Sequence, residues 1–285
     1  MLFRSLPANA SRAVVVTQQH LPVSVQPILE NHDLKVVTVE IGDGEEHKSL
    51  ASIEKIMRVC AAHSMTRGDV IVGVGGGMVT DVAGYAAASW HRGIAVVHVS
   101  TTLVGMVDAA IGGKTGVNIP EGKNLVGAFW QPSGVVCDTS TLATLPERER
   151  RCGYGEMAKY HFLTGDDLLA MDLASRIARC VRIKADIVSR DEREGGLRAV
   201  LNYGHTLGHA LEIATHFSLA HGEAVAVGLK FAALLARSLG RIDDSRVAYH
   251  DEGISQEYGL STAMPDGLVE SELDRKSTRL NSSHS

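Results

Sequence analysis

Along its first half the chain alternates short β-branched runs with segments of helical period, and few architectures accept that order. Val14 to Thr17, Val36 to Val39, Val70 to Val74 and Ala95 to Val99 are near-continuous apolar runs, as strands buried on both faces require. Between the second and third runs, Ile53, Ile56, Met57 and Cys60 recur at the spacing of a helix that lays one face on a sheet. Strand, crossover helix and strand in repetition specify an open parallel sheet with helices on both faces. The third run ends in Gly75-Gly76-Gly77, and a helical pattern follows with Asp81 one turn into it. Glycines there let a ligand approach the backbone, and a helix start offers unpaired N–H groups to a pyrophosphate. The spacing is not Gly-x-Gly-x-x-Gly, so a tight turn without a ligand stays open as a reading. Thr101 and Thr102 lie just past the fourth run, at the strand ends where open α/β sheets bind ligands. Two such features on one edge point to a nucleotide.

Near Pro146 the texture changes. From Glu147 onward strand-like runs disappear, and helical patterns cover Asp166 to Arg190, His205 to Thr215 and Glu223 to Leu239. The expected architecture is an α/β Rossmann-like domain over residues 1–146, followed by an all-α domain over residues 147–273. His205 and His209, four apart, share a helix face with Glu212, and His221 opens the next helix with Glu223 in its first turn. Neutral imidazoles and a carboxylate suit zinc, with a fourth position left for a substrate. Packed or surface histidines are the alternative at this spacing. Lys184 interrupts the apolar stripe Ile177, Cys180, Val181, Ile187 and Val188, so it must snorkel to water or meet an anion. Arg92, Lys114, Lys123, Lys159 and Arg198 are further cations in small-residue or glycine-rich segments. In a chain of net charge −5 that accumulation indicates a small anionic metabolite and argues against nucleic acid.

Cys60, Cys137, Cys152 and Cys180 are scattered, with no Cys-x-x-Cys pair, and read as reduced thiols. No basic segment followed by a long apolar run opens the chain, and the most apolar stretch, Ala224 to Ala236, is too short for a bilayer and contains Lys230. A cytoplasmic protein without a membrane partner is therefore expected. Residues Asp274 to Ser285 resemble the translation of a sequencing adapter, so a non-native tail is expected after Leu273.

The segments Gly75 to Arg92, Thr101 to Asn124, Gly155 to Lys159 and Asp191 to His221 resemble the dehydroquinate synthase family, and the likeness runs from about Ile41 to Arg241. That resemblance implies a Rossmann-like domain followed by a helical one, with NAD and zinc or cobalt as cofactors. It implies NAD contacts at Asp43, Gly44, Glu45, Glu46, His47 and Lys48, at Gly76, Gly77, Met78, Val79, Thr80 and Asp81, and at Thr101 and Thr102. Lys114, Lys123, Thr141, Leu142, Ala143 and Thr144 complete that set. The implied metal ligands are Glu156, His205 and His221, which turns His209 toward substrate. Asp108, Lys114, Lys159, Lys184, Arg198, Asn202 and His209 are the implied catalytic residues, and Arg92, Asn124 and Glu194 the implied substrate contacts. The implied reaction closes 3-deoxy-arabino-heptulosonate 7-phosphate to a carbocycle with loss of phosphate, in the shikimate pathway, by a homodimer. Two departures stand out. Gln18 follows Thr17 where the family often places an acidic residue for the cofactor ribose, and the family's chain continues beyond this one with a further lysine for the substrate phosphate. A sibling sugar-phosphate cyclase, a metal-dependent polyol dehydrogenase and a non-catalytic NAD- or metal-binding protein are the rival readings. The joint presence of Lys184, Arg198, Asn202 and His209 favours dehydroquinate synthesis over a sibling.

Overall fold

The computed structural model describes residues 5–21 and 23–268, so the expected adapter tail lies outside the described residues. The chain divides into two compact units, Met1–Leu145 and Pro146–Ser285.

In the first unit β1 (Arg12–Thr17), α1 (Gln26–Glu30), β2 (Lys35–Glu40), α2 (Leu50–Ala62), β3 (Val70–Gly75), α3 (Gly77–Ser89), β4 (Ala95–Ser100) and β7 (Gly134–Cys137) form a wound parallel sheet of order β2-β1-β3-β4-β7. The four apolar runs read from the sequence all fall inside its strands. β3 is buried along its whole length, because it sits between β1 and β4 with cores on both faces. One core packs Ile53, Ile56 and Cys60 of α2 with Val79, Val82 and Ala86 of α3. The other packs Val70, Val72 and Val99 against Leu29 and Leu34. Ser49 caps α2 by accepting the Ser52 N–H at 3.3 Å. The buried Asp69 ties the entry to this sheet, accepting the N–H groups of Ser11 (3.1 Å), Arg12 (2.9 Å) and Thr66 (2.7 Å). An antiparallel hairpin, β5 (Lys114–Ile119) and β6 (Gly122–Phe129), stands outside the sheet. Neither it nor the four-residue β7 stands out in the sequence as a long apolar run.

The second unit holds α4 (Glu147–Thr164), α5 (Leu173–Arg190), α6 (His205–Ala214), α7 (His221–Ser238) and α8 (Asp244–Glu252), with no strand among its described residues. The helical pattern that begins at Asp166 does not start a helix there. α4 stops at Gly165, in the left-handed region at φ 71°, and α5 begins only where Asp172 accepts the Ser175 N–H at 2.9 Å. α7 is buried on all sides from Ala224 to Leu229, as its apolar sequence requires. Its last turns are not: Phe231, Leu235 and Leu239 are 47%, 48% and 60% exposed. Among the described residues no helix is long and apolar enough to cross a membrane.

Candidate functional site

Glycines set how closely the helices of the second unit approach. A Cβ on Gly155 of α4 would lie 2.5 Å from Gly222 Cα, and one on Gly222 would lie 2.5 Å from Cys152 Cα. Only hydrogen on both residues allows α4 and α7 to touch there, and the next residue on α4 and the preceding one on α7 are Glu156 and His221. Gly204 and Gly228 do the same for α6 and α7, where a Cβ on Gly228 would collide with the Gly204 carbonyl. His205, the first residue of α6, is thereby brought to the same place.

The result is a compact donor set. Glu156 Oε1 lies 2.9 Å from His221 Nε2 and 3.2 Å from His205 Nε2, and the three groups offer ligand atoms all within 4.8 Å of one another. Glu156 is fully buried, and its other oxygen pairs with the ammonium of buried Lys159 one turn along α4. His205 Nδ1 is 3.1 Å from the Tyr203 carbonyl, which can only accept, so Nδ1 carries a proton and Nε2 is the atom turned toward Glu156. His221 Nδ1 is 3.3 Å from Glu212 Oε1. Burial pushes the Glu156 carboxyl up, but Lys159, His205 and His221 outweigh it and hold it well below the usual carboxylate range. Burial opposes charge on His221 too, yet its hydrogen bonds to Glu156 and Glu212 lift it to about 10. Burial first, and then the neighbouring His205, push His209 down to about 4, so it is neutral at ordinary pH. Two imidazole nitrogens and a carboxylate oxygen, with each Nδ1 already engaged, fit a tetrahedral metal site with an open position. His209 is not in that trio; with Glu212 it forms an adjoining group that shares His221.

In this second unit the cations singled out in the sequence, Lys159, Lys184 and Arg198, are buried, whereas Arg92, Lys114 and Lys123 of the first unit are exposed. Lys184 lies on the inner face of α5, and Arg198 is buried on the turn Leu197–Asn202. The Arg198 guanidinium donates to Glu192 O at 2.5 Å, its backbone N–H donates to Asp191 at 2.8 Å, and Asn202 donates to Glu194 at 3.3 Å. These contacts hold the connection between α5 and α6 in one shape.

In the first unit the residues expected to meet a nucleotide lie at the carboxyl ends of β3 and β4. A Cβ on Gly76 would stand 2.9 Å from Thr102 Cγ2, and one on Gly77 would stand 3.0 Å from Ala109 Cβ, so the backbone is open to a ligand only because these are glycines. Met78, Val79, Thr80 and Asp81 form the first turn of α3, where Thr80 donates to Gly77 O at 3.0 Å. Thr141 donates to Thr101 O at 3.1 Å and brings the turn Thr139–Thr144, with Leu142, Ala143 and Thr144, against the end of β4. Asp43, Gly44, Glu45 and Glu46 are exposed, His47 half-buried, and Lys48 buried, its ammonium 2.5 Å from both Asp81 Oδ2 and Asn124 Oδ1. Gln18 donates to Gly42 O at 3.4 Å, tying the end of β1 to that loop. Lys114 and Lys123 are exposed on the hairpin, and Asp108 is half-buried in the turn Gly105–Ala109. Arg92, Asn124 and Glu194 share an unusual backbone, with φ of 66°, 57° and 61°. Non-glycine residues rarely adopt that region, and such strain concentrates where a side chain must be aimed.

Two features escaped sequence reasoning. Glu212 was legible only as part of a polar stripe, with nothing to show that it reaches His221 from another helix. Asn118 gave no signal: its amide accepts the Asn124 N–H at 2.9 Å and donates to Glu45 at 2.8 Å, while its own N–H donates to Lys48 O at 2.8 Å.

Comparison with known proteins gives a consistent result. Residues 38–152 match the 3-dehydroquinate synthase N-terminal family profile, and residues 153–277 match the 3-dehydroquinate synthase C-terminal profile. A protein of Amycolatopsis mediterranei (strain S699) named "Putative aminodehydroquinate synthase" is 49% identical over 271 residues, covering 95% of this chain and 76% of its own. The 3-dehydroquinate synthase of Mycobacterium leprae (strain TN) is 45% identical over 262 residues, 86% of this chain and 73% of that protein. Among solved structures, 2-deoxy-scyllo-inosose synthase complexed with carbaglucose-6-phosphate, NAD+ and Co2+ superposes with a TM-score of 0.86 at 28% identity, covering 94% of this chain and 78% of the other. ValA (2-epi-5-epi-valiolone synthase) from Streptomyces hygroscopicus subsp. jinggangensis 5008, with NAD+ and Zn2+ bound, gives 0.80 at 25% identity, covering 96% and 82%. With both profiles matched end to end across 38–277, the chain belongs to the 3-dehydroquinate synthase family.

Proposed function

We propose that this chain is a 3-dehydroquinate synthase, an NAD- and metal-dependent lyase that converts 3-deoxy-D-arabino-heptulosonate 7-phosphate to 3-dehydroquinate and phosphate. The observation that carries this reading is the converging trio Glu156, His205 and His221, with Lys159 paired to Glu156 and Lys184 and Arg198 buried in the same unit, in a member of that family. Residues 1–146 serve as the NAD domain, and residues 147–273 as the metal and substrate domain. NAD when bound supplies a site for taking up and returning hydride, and zinc or cobalt supplies a Lewis acid. Everything else falls to the chain. Glu156, His205 and His221 would hold the metal. The residues named above at the ends of β3 and β4, with the 43–48 loop, Lys123 and the turn 141–144, would hold NAD. Lys114, Lys159, Lys184 and Arg198 fix carboxylate and phosphate by charge-assisted hydrogen bonds, which orient the reacting carbons. Neutral His209 can accept or donate one proton at a substrate hydroxyl, while Asp108, Asn202, Arg92, Asn124 and Glu194 position the remaining hydroxyls. The substrate is a small phosphorylated sugar acid, and a cytoplasmic homodimer goes with this reading, the latter tested by light scattering against the 30.4 kDa chain mass.

The test is phosphate release from the heptulosonate phosphate in the presence of NAD and Co2+, with NADH absorbance followed alongside. Phosphate without accumulating NADH is expected; NADH equal to product would replace this reading with a dehydrogenase. The 49% identical relative favours a second reading, in which the product carries an amino group. Competing the two substrates in one assay separates them, since the true substrate has the larger kcat/KM.

A further inference from the structure

We infer that Glu212 is a positioning residue for the metal site: its carboxylate accepts the Nδ1 proton of His221 and so aims Nε2 at the space it shares with Glu156 and His205. The inference rests on the metal reading of that cluster. An imidazole can ligate through Nε2 only if its proton sits on Nδ1, and the partner of Nδ1 decides which tautomer and which ring angle are held. The two imidazoles solve this differently. For His205 the partner is the Tyr203 carbonyl at 3.1 Å, part of the main chain that enters α6, so backbone geometry fixes the ring. For His221 it is Glu212 Oε1 at 3.3 Å, while Nε2 stands 2.9 Å from Glu156 Oε1. Glu212 projects from α6, two turns after His205, and reaches the first residue of α7. A single helix therefore carries one ligand and orients the other. The approach of α6 to α7 is fixed by the Gly204–Gly228 contact.

The experiment measures the affinity of the purified full chain for Co2+, by competition with a chromogenic chelator, together with the visible absorption of the bound cobalt. Glu212→Ala and Glu212→Leu both remove the acceptor, so that misfolding of one still leaves the other; the melting temperature of metal-free protein identifies any such failure. Both should bind Co2+ about 10–100-fold more weakly, the usual cost of losing a group that orients a metal-bound imidazole, with an altered cobalt spectrum. Glu212→Gln keeps an oxygen that accepts the Nδ1 proton and should recover most of that loss, which a purely structural role for the charge would not predict. His221→Ala sets the scale for loss of a ligand. Unchanged affinity and spectrum in the Ala and Leu variants would overturn the inference. A loss as complete as that of His221→Ala would overturn it too, making Glu212 a ligand. If the unaltered chain binds no Co2+, the metal reading itself fails and takes this role with it.

Discussion

The two units bury very different things. In the first, the interior is valine, isoleucine and alanine on both faces of a parallel sheet, and the buried charges among its described residues are Lys48 and Asp69. Asp69 is a staple, satisfied by three backbone N–H groups, and Lys48 is paired with Asp81 and Asn124. In the second, Glu156, Lys159, Lys184, Arg198 and His205 are all buried in the helical core itself. Burying ionised groups costs free energy unless each is paired, and such an arrangement is seldom the most stable one available. The first unit can therefore separate stability from function, with an apolar interior and the proposed cofactor site on its rim. In the second, the groups that would do chemistry are also part of what holds the helices together.

The largest expected effect follows from that overlap. Lys159→Met removes one partner of a buried pair and leaves Glu156 with only its imidazole neighbours. Breaking such a pair typically costs about 3–5 kcal/mol, so the metal-free variant should unfold at much lower urea, and turnover should disappear with it. Denaturation of unaltered and variant protein in EDTA reads this directly. A midpoint within error of the original would show that the charged core is not structural and would dissolve the contrast between the units.

The second effect lies in the apolar unit and runs through pH. His98 of β4 is buried, Nδ1 has no hydrogen-bond partner among the described residues, and burial pushes its pKa down to about 4 from 6.5. The unfolded chain then binds more protons than the folded one between those values. Stability is thus fully present above about pH 6.5 and is lost as pH falls toward 4, by up to about 3 kcal/mol. His98→Leu gives up no hydrogen bond at Nδ1 and cannot protonate, so its stability should vary less over that window. Parallel pH profiles for the two proteins would place the acid sensitivity elsewhere, with the charged cluster of the second unit as the first suspect.

The same contrast governs what the sequence could disclose. Strands buried on both faces need unbroken β-branched runs, which is why β1 to β4 stand out, and a helix entering beside Gly75-Gly76-Gly77 needs room that only glycine leaves. The hairpin β5–β6 was silent because its exposed faces make no demand for alternation: Gly122 to Phe129 contains Lys123, Asn124 and two glycines. In the second unit His205, His209 and Glu212 were visible as a stripe, since helical period is local. Their pairing with Glu156 and His221 depends on which helices touch, and the glycines that decide it, Gly155, Gly222, Gly204 and Gly228, look ordinary until the helices are packed. The backbone strain at Arg92, Asn124 and Glu194 was equally hidden, because nothing in those side chains favours φ above zero except, weakly, asparagine. The resemblance to the family supplied these residues where local physics could not.

The smallest effect tests a part of the second unit where apolar groups face outward. Phe231, Leu235 and Leu239 recur every four residues along the last turns of α7, on a single exposed face, beyond the stretch where the helix is enclosed. A side chain with about half its surface in water contributes little packing, and lysine is as good a helix former as leucine, so Leu235→Lys should change folding stability by no more than about 0.5 kcal/mol. The variant should nevertheless behave differently in solution, because a contiguous apolar stripe promotes association and a central charge breaks it. Light scattering across a concentration series should show less self-association for the variant, while the urea midpoint and Co2+ affinity stay where they were. A loss of unfolding free energy of more than about 2 kcal/mol would mean that Leu235 is enclosed in the folded protein. The second unit would then carry an apolar core as extensive as the first, and its dependence on buried charge would be smaller than the pairing of Glu156 with Lys159 suggests.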